Sequence, residues 1–192
     1  LNSIQNLQIK LYMQLVFATN NHNKIKEVQT LIPEKIKLLS LEDIGCFEDI
    51  PETQNTIKGN AIQKAEYIKK HYGYDCFADD TGLEVAVLNG EPGVNSAHYA
   101  GPQRNAEDNM QKLLVLLNNQ TNRKAQFKTV IALSLNNKLQ TFEGICEGTI
   151  TETKQGSQGF GYDPVFKPTG FNETFADMDL SQKNKISHRA KA

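Results

Sequence analysis

Two hydrophobic periods alternate along this chain, and the switches between them mark its elements. Gln14-Leu15-Val16-Phe17-Ala18-Thr19 is apolar on both faces and predicts a buried strand. After the polar turn Asn20-Asn21-His22-Asn23, apolar residues recur at Ile25, Val28 and Ile32, which predicts a helix closing near Pro33. Ile36 to Leu41 predicts a second strand. An acidic loop over 42–54 leads into a helix from about Asn55 to His71. Ile57, Ala61, Ala65, Ile68 and Tyr72 form its inward stripe, and Gly73 suits its C-terminal cap.

Asp75 to Ala78 predicts a short strand running into Asp79-Asp80, and Leu83 to Leu88 predicts another. Asn89-Gly90-Glu91-Pro92-Gly93 is turn chemistry. Asn105 caps a helix with Met110, Leu113, Leu114 and Leu117 on its apolar side. Ala125 to Leu135 and Lys138 to Ile150 alternate as two long strands, with Asn136-Asn137 as the hairpin turn between them. A glycine-rich stretch over 156–164 precedes a short strand near Val165-Phe166, and a last helix starts near Ser181. Helices interleaved with strands, then a hairpin, predict an α/β fold with a mixed sheet under helical cover.

Composition narrows the class without changing that picture. The chain has 192 residues, 39% hydrophobic and 22% charged, as in a soluble globular protein. A formal net charge of −1 gives no global attraction to nucleic acid or an anionic membrane. No apolar run reaches the length of a membrane span. Cys46, Cys76 and Cys146 are scattered without metal-ligand spacing, which fits free thiols in a reducing compartment. Residues 1–10 lack the features of a signal peptide, and Met13 stands directly before the first strand. Residues 1–12 are therefore expected to be an extension, and 13–192 a single domain whose last helix is cut at Ala192.

Five constellations carry candidate chemistry. In Phe77-Ala78-Asp79-Asp80-Thr81-Gly82-Leu83, strand alternation sends the two carboxylates to opposite faces unless the chain turns at Gly82. A solvated turn and a metal or base site are both open there. Thr19-Asn20-Asn21-His22-Asn23-Lys24 joins a strand to a helix and reads as a place for an anion, with Lys24 as a point charge, or as a polar helix start with Lys24 in solvent. It lacks the glycines of a P-loop. Glu52 precedes the helix on which Lys64 lies about 10–15 Å from the start. Glu52 and Asp80 are a candidate pair for a hard divalent ion, although spacing alone reads Glu52 as an ordinary surface acid. Gly159-Phe160-Gly161-Tyr162-Asp163-Pro164 reads as a base pocket or as a tight aromatic turn. Lys183, Ser187, His188 and Arg189 read as donors for a carbonyl-bearing base or as a solvated basic helix end.

Thr19-x-Asn21-x-x-Lys24, Ala78-Asp79-Asp80-Thr81-Gly82-Leu83, Gly159-Phe160-Gly161-Tyr162-Asp163-Pro164 and Ile186-Ser187-His188-Arg189 occur in this order, with Pro92-Gly93 and Ser96-Ala97 between them. In this the chain resembles the inosine triphosphate pyrophosphatase family, from about Met13 to Ala192. The resemblance implies an elongated two-lobed α/β fold with a cleft between the lobes. It implies a cytoplasmic homodimer that hydrolyses ITP, dITP and XTP to the monophosphate and pyrophosphate. Asp80 is implied as the catalytic carboxylate and, with Glu52, as a ligand of Mg²⁺, with Mn²⁺ the alternative. Thr19, Asn20, Asn21, His22, Asn23, Lys24, Lys64 and Thr81 are implied on the triphosphate. Phe160, Gly161, Tyr162, Asp163, Lys183, His188 and Arg189 are implied on the base and sugar. One departure stands out. Gly59 replaces a Glu that many bacterial relatives carry before Asn60-Ala61, which sets a binding module without catalysis beside the enzyme as a second reading.

Overall fold

The computed structural model describes residues 13–192, so the expectation for residues 1–12 falls outside the described residues. The chain runs β1 (Met13–Phe17), α1 (His22–Gln29), β2 (Ile36–Leu39), α2 (Ile57–Tyr72), β3 (Cys76–Val85), β4 (Pro92–Gly93) and α3 (Ala106–Leu116). It continues with β5 (Lys124–Leu135), β6 (Lys138–Ile150), β7 (Phe166–Pro168), α4 (Leu180–Ile186) and α5 (His188–Lys191). The strands form one mixed, curled sheet in the order β2-β1-β3-β5-β6-β7, with β4 added to β3. β1 is parallel to β2 and β3, and the remaining pairs are antiparallel.

Strand alternation divides the interior. Val16, Ala18, Cys76, Ala78, Val130 and Ala132 point to the face covered by α2, where they meet Ala61, Ala65 and Ile68. Leu15, Phe17 and Phe77 point to the other face and pack on Val28 of α1. Small residues on α2 let that helix approach the sheet closely, whereas Phe17 and Phe77 stack at 4.4 Å under α1. A third core gathers Leu83, Val85, Met110, Leu113, Leu117, Phe127, Phe166 and Phe175 around α3 and the far end of the sheet. The cleft described below lies between this core and the other two.

Local signals explain most element ends. The Asn21 side chain accepts hydrogen bonds from the Asn23 and Lys24 amides and starts α1, and Asn105 does the same for α3. Gly73 closes α2 at φ 76°, a left-handed position that suits glycine. Asn136 and Asn137 take φ values of 50° and 60°, as a two-residue hairpin turn with left-handed geometry requires.

The sequence expectation differs from the structure chiefly at β3. Asp79 and Asp80 do not end a strand. They sit in the middle of a ten-residue one, and the ladder to β5 continues unbroken from Cys76↔Ser134 to Val85↔Ala125. Two aspartates beside a glycine look like a turn because water normally solvates them. Here cations do so instead. Gly82 makes no turn either. It leaves room for β4, since a Cβ there would lie 2.4 Å from the Gly93 carbonyl oxygen and 2.8 Å from Ile57 Cδ1. Residues 86–88 form a 3₁₀ turn rather than more strand. β2 stops at Leu39, and α1 at Gln29, although Ile32 still packs on the α1 core. The last helical segment is split, because Ser187 ends α4 and caps α5.

Gly82→Ala is expected to destabilise the protein by about 1–3 kcal/mol through overpacking against backbone that cannot yield. A urea unfolding midpoint at or above that of the unsubstituted protein would contradict this account of the β3–β4 contact.

Candidate active site

A cleft of about 970 Å³ crosses β3 where the sheet passes from one core to the next. Because Asp79 and Asp80 are adjacent on an unbroken strand, each is committed to a different face. On the α1 face, Asp79 Oδ1 accepts from Lys24 Nζ at 2.9 Å, and Oδ2 accepts from Arg189 Nε at 3.0 Å. Arg189 also bonds Glu27 and donates to Thr81 Oγ1 at 3.1 Å. Glu27 accepts from Lys183 Nζ at 2.7 Å, and Lys183 donates onward to Asp163 Oδ2 at 2.6 Å. All six charged groups except Lys24 are almost fully shielded from water. Burial alone would raise the Asp79 pKa. Lys24, Arg189 and Lys64 outweigh it and hold the carboxyl well below its ordinary range. Burial would weaken Arg189 as a cation, but Asp79 and Glu27 keep its pKa above the ordinary value.

On the α2 face, Lys64 is the hub. Its ammonium bonds Glu52 and reaches Asp80 Oδ1 at 3.3 Å, while Asn60 Nδ2 stands 3.5 Å from Asp80 Oδ2. Burial raises the Asp80 pKa, only partly opposed by Lys64 and Lys24. The acidic loop lies antiparallel along α2 and is fastened side chain by side chain. Glu48 accepts from Tyr67 and Tyr72 at 3.0 and 2.6 Å, Glu52 meets Lys64, and Thr53 and Gln63 exchange two bonds of 2.9 Å. Gln54 N donates to Asn60 Oδ1 at 2.9 Å. Gly59 faces this loop: a Cβ there would meet Gln54 Cβ at 2.7 Å, and Gln54 lines the cleft.

The far wall is aromatic. Phe160 is half-buried, with the Lys183 ammonium 5.0 Å from its ring centre. Tyr162 is buried, and its hydroxyl donates to the Ser96 carbonyl at 2.9 Å. Asp163 is turned inward, where its Oδ2 accepts from the Phe160 amide and Lys183. Its pKa is raised by burial. His188 stacks on Phe127 at 4.6 Å, and its Nδ1 is buried without a partner among the described residues. Burial, with Arg189 and Lys183 nearby, pushes its pKa well below the ordinary value, so the ring is neutral.

The cleft brings together Thr19, Asn20, Asn21, Asn23, Lys24, Glu52, Lys64, Asp80, Thr81, Phe160 to Asp163, Lys183, His188 and Arg189. His22 is exposed and stands outside the lining. The α1 turn differs in one respect from its sequence expectation: the Asn23 and Lys24 amides are taken by Asn21 Oδ1, and the Asn21 amide by Thr19 Oγ1. Its pull on an anion therefore rests on the helix dipole and side chains more than on open amides. Sequence reasoning missed Glu27, Asn60, Phe127 and Arg104. Glu27 is the instructive omission. It sits beside Val28 on a helix whose apolar stripe was visible, and a carboxylate flanking such a stripe is readable as buried only once its cationic partners are known.

The donor set suits a hard divalent cation. Glu52 and Asp80 offer carboxylate oxygens on one side of the cleft, and Mg²⁺ commonly takes one or two carboxylates with water and phosphate oxygens completing the shell. Among the described residues there is no cluster of three or more His, Cys, Asp and Glu able to hold a metal without such help.

Residues 15–192 match the model of the Ham1 family. The chain is 66% identical over 180 residues to a dITP/XTP pyrophosphatase of Flavobacterium psychrophilum, covering 94% of this chain and 95% of that one. It is 44% identical over 183 residues to a dITP/XTP pyrophosphatase of Thermoanaerobacter pseudethanolicus, covering 94% and 92%. Among solved structures it is similar to the Staphylococcus aureus Ham1 protein, with a TM-score of 0.85, 40% identity and 93% coverage of both chains. A HAM1 protein from Coxiella burnetii gives the same TM-score at 37% identity.

Two substitutions test this geometry. Asp79→Asn leaves Arg189 and Lys24 facing a neutral amide and is expected to cost about 3–5 kcal/mol at neutral pH. Because the folded state depresses the Asp79 pKa, its stabilisation is complete above the ordinary value of 3.8 and is lost as pH falls below it. The variant's stability should therefore vary less with pH below that value, as followed by chemical denaturation across a pH series. Gly59→Ala should destabilise the protein instead of giving the gain of about 1 kcal/mol that helix propensity alone implies. A raised melting temperature would show that the loop does not depend on this close approach.

Proposed function

The chain belongs to the Ham1 family, and we propose that it hydrolyses non-canonical purine nucleoside triphosphates (ITP, dITP and XTP) to the monophosphate and pyrophosphate, clearing them from the nucleotide pool. The observation that carries this reading is the grouping of Asp80, Lys64 and Glu52 on one side of a cleft that also holds the α1 turn and an aromatic wall. Phosphoryl chemistry, charge neutralisation and base recognition thus share one cavity.

In this reading the triphosphate lies along Thr19 to Lys24 and Thr81, drawn by the positive end of α1 and by Lys24 and Lys64. Glu52 and Asp80 would hold the divalent cation, Mg²⁺ or alternatively Mn²⁺, which supplies neutralisation of phosphate charge when bound. Asp80 accepts the proton of the attacking water near the α-phosphorus. Lys24 and Lys64 stabilise charge developing on the leaving pyrophosphate.

Phe160 offers a face for the purine, and Lys183 fixes that face by bonding Asp163 beneath the loop. Hypoxanthine and xanthine carry an oxygen at C6 where adenine carries an amine. The neutral His188 ring retains one N–H donor, which an oxygen satisfies and an amine does not. Arg189 is bonded to Asp79, Glu27 and Thr81, so its part in base selection is to fix its neighbour His188.

The three buried free thiols support the cytoplasm as its compartment. Among the described residues no helix is long and apolar enough to cross a membrane. The family resemblance supports a homodimer.

Gly59 packs against Gln54, which itself lines the cleft, so assay is what separates the enzyme from a binding module without catalysis. A panel of ITP, dITP, XTP and ATP, assayed with and without Mg²⁺, should show Mg²⁺-dependent pyrophosphate release from the first three. Stepwise orthophosphate release, or tight ITP binding without turnover, would falsify the assignment. Asp80→Asn should lower turnover by about 10²–10⁴-fold while the melting temperature holds.

A further inference from the structure

Among the described residues five lysines and arginines line the cleft: Lys24, Lys64, Arg104, Lys183 and Arg189. Four are already committed. Lys24 pairs with Asp79, Lys64 with Glu52 and Asp80, Lys183 with Glu27 and Asp163, and Arg189 with Glu27 and Asp79. Among the described residues the Arg104 guanidinium has neither an ion pair nor a hydrogen bond, and the residue is exposed.

Its backbone is nevertheless well held. The Arg104 amide donates to the Gly101 carbonyl at 3.3 Å, and the next residue, Asn105, caps α3. The segment before it is tied to the same helix. Asn109 Oδ1 accepts from the Ala100 amide at 2.7 Å, and Lys112 Nζ donates to the Tyr99 carbonyl at 2.6 Å. Arg104 has φ 53°, a left-handed conformation that asparagine or glycine would adopt more readily. An arginine kept in that conformation, beside a cavity and without a protein partner, points to a partner that arrives with the ligand.

The charge balance of the cleft says which ligand. The lysines on the phosphate side are matched by Asp79, Asp80 and Glu52, so little positive charge is left over for a polyanion. Arg104 shares the lining of this cleft with Glu52, Lys24 and Lys64. We propose that Arg104 is the uncommitted donor that grips the terminal phosphates of the substrate and the pyrophosphate product. Its planar fork of N–H groups suits two phosphate oxygens at once, which a lysine cannot match. The inference rests on the triphosphate reading above, but its test does not require turnover.

Binding of inorganic pyrophosphate, titrated calorimetrically with Mg²⁺ present, should weaken on the order of tenfold in Arg104→Met and less in Arg104→Lys. Binding of IMP, which lacks the terminal phosphates, should be unchanged in both, and so should the melting temperature of this exposed position. kcat/KM for ITP should fall in the same order as pyrophosphate affinity. Pyrophosphate affinity equal in all three proteins would overturn the assignment, as would an equal loss for IMP or no pyrophosphate binding by the unsubstituted protein. If the protein binds pyrophosphate through Arg104 but does not hydrolyse ITP, the assignment stands and the proposed reaction fails.

Discussion

Asp79 keeps its negative charge with almost no access to water, and the rest of the site depends on how that charge is held. A buried carboxylate without partners would take up a proton or unfold its surroundings. Lys24 and Arg189 prevent this, and their own burial then calls for further partners in Glu27, Lys183 and Asp163. The result is a closed set of three cations and three carboxylates drawn from α1, β3, the 159–164 loop, α4 and α5. Such a set adds little net stability compared with a well-packed apolar core, yet removing one member is costly. Its value lies in geometry. The groups fit only when five segments sit in one arrangement.

The neighbouring carboxylate lives under different rules. Asp80 shares its strand and backbone ladder with Asp79 but faces α2, where its partners are one lysine and one amide. Asp80 has one cationic partner where Asp79 has two. In the proposed reaction the pleat of a single strand thus separates a structural carboxylate from a chemical one. A slip of one residue in the β3–β5 register would exchange them and abolish both. The long, regular ladder with β5 guards against that slip.

Periodic features of the fold were legible in the sequence. The stripe of α2, the alternation of β5 and β6, the Asn136-Asn137 turn and the caps at Asn21 and Asn105 all follow from local chemistry. The course of β3 was not, because Asp79, Asp80 and Gly82 carry turn propensity that only long-range ion pairing overrides. Ser187 was placed inside a continuous helix, and its capping role shows only when His188 stacks on Phe127 and Arg189 turns to Asp79. The motifs lie far apart in the chain, and the fold brings most of their residues to one cleft. They did not separate residues that face the cavity, such as Phe160, from those that anchor it, such as Tyr162 and Asp163. That distinction depends on partners far away in the chain.

The six-membered charge set joins residue 24 to residue 189, so nearly the whole chain lies between its ends. Contacts of such separation form late, because the loop must close before they contribute. A partly folded chain that has built its sheet but not docked α4 and α5 has no His188 on the aromatic wall and no Arg189 over Asp79. Recovery of a working cleft during refolding should coincide with the final ordering of the molecule.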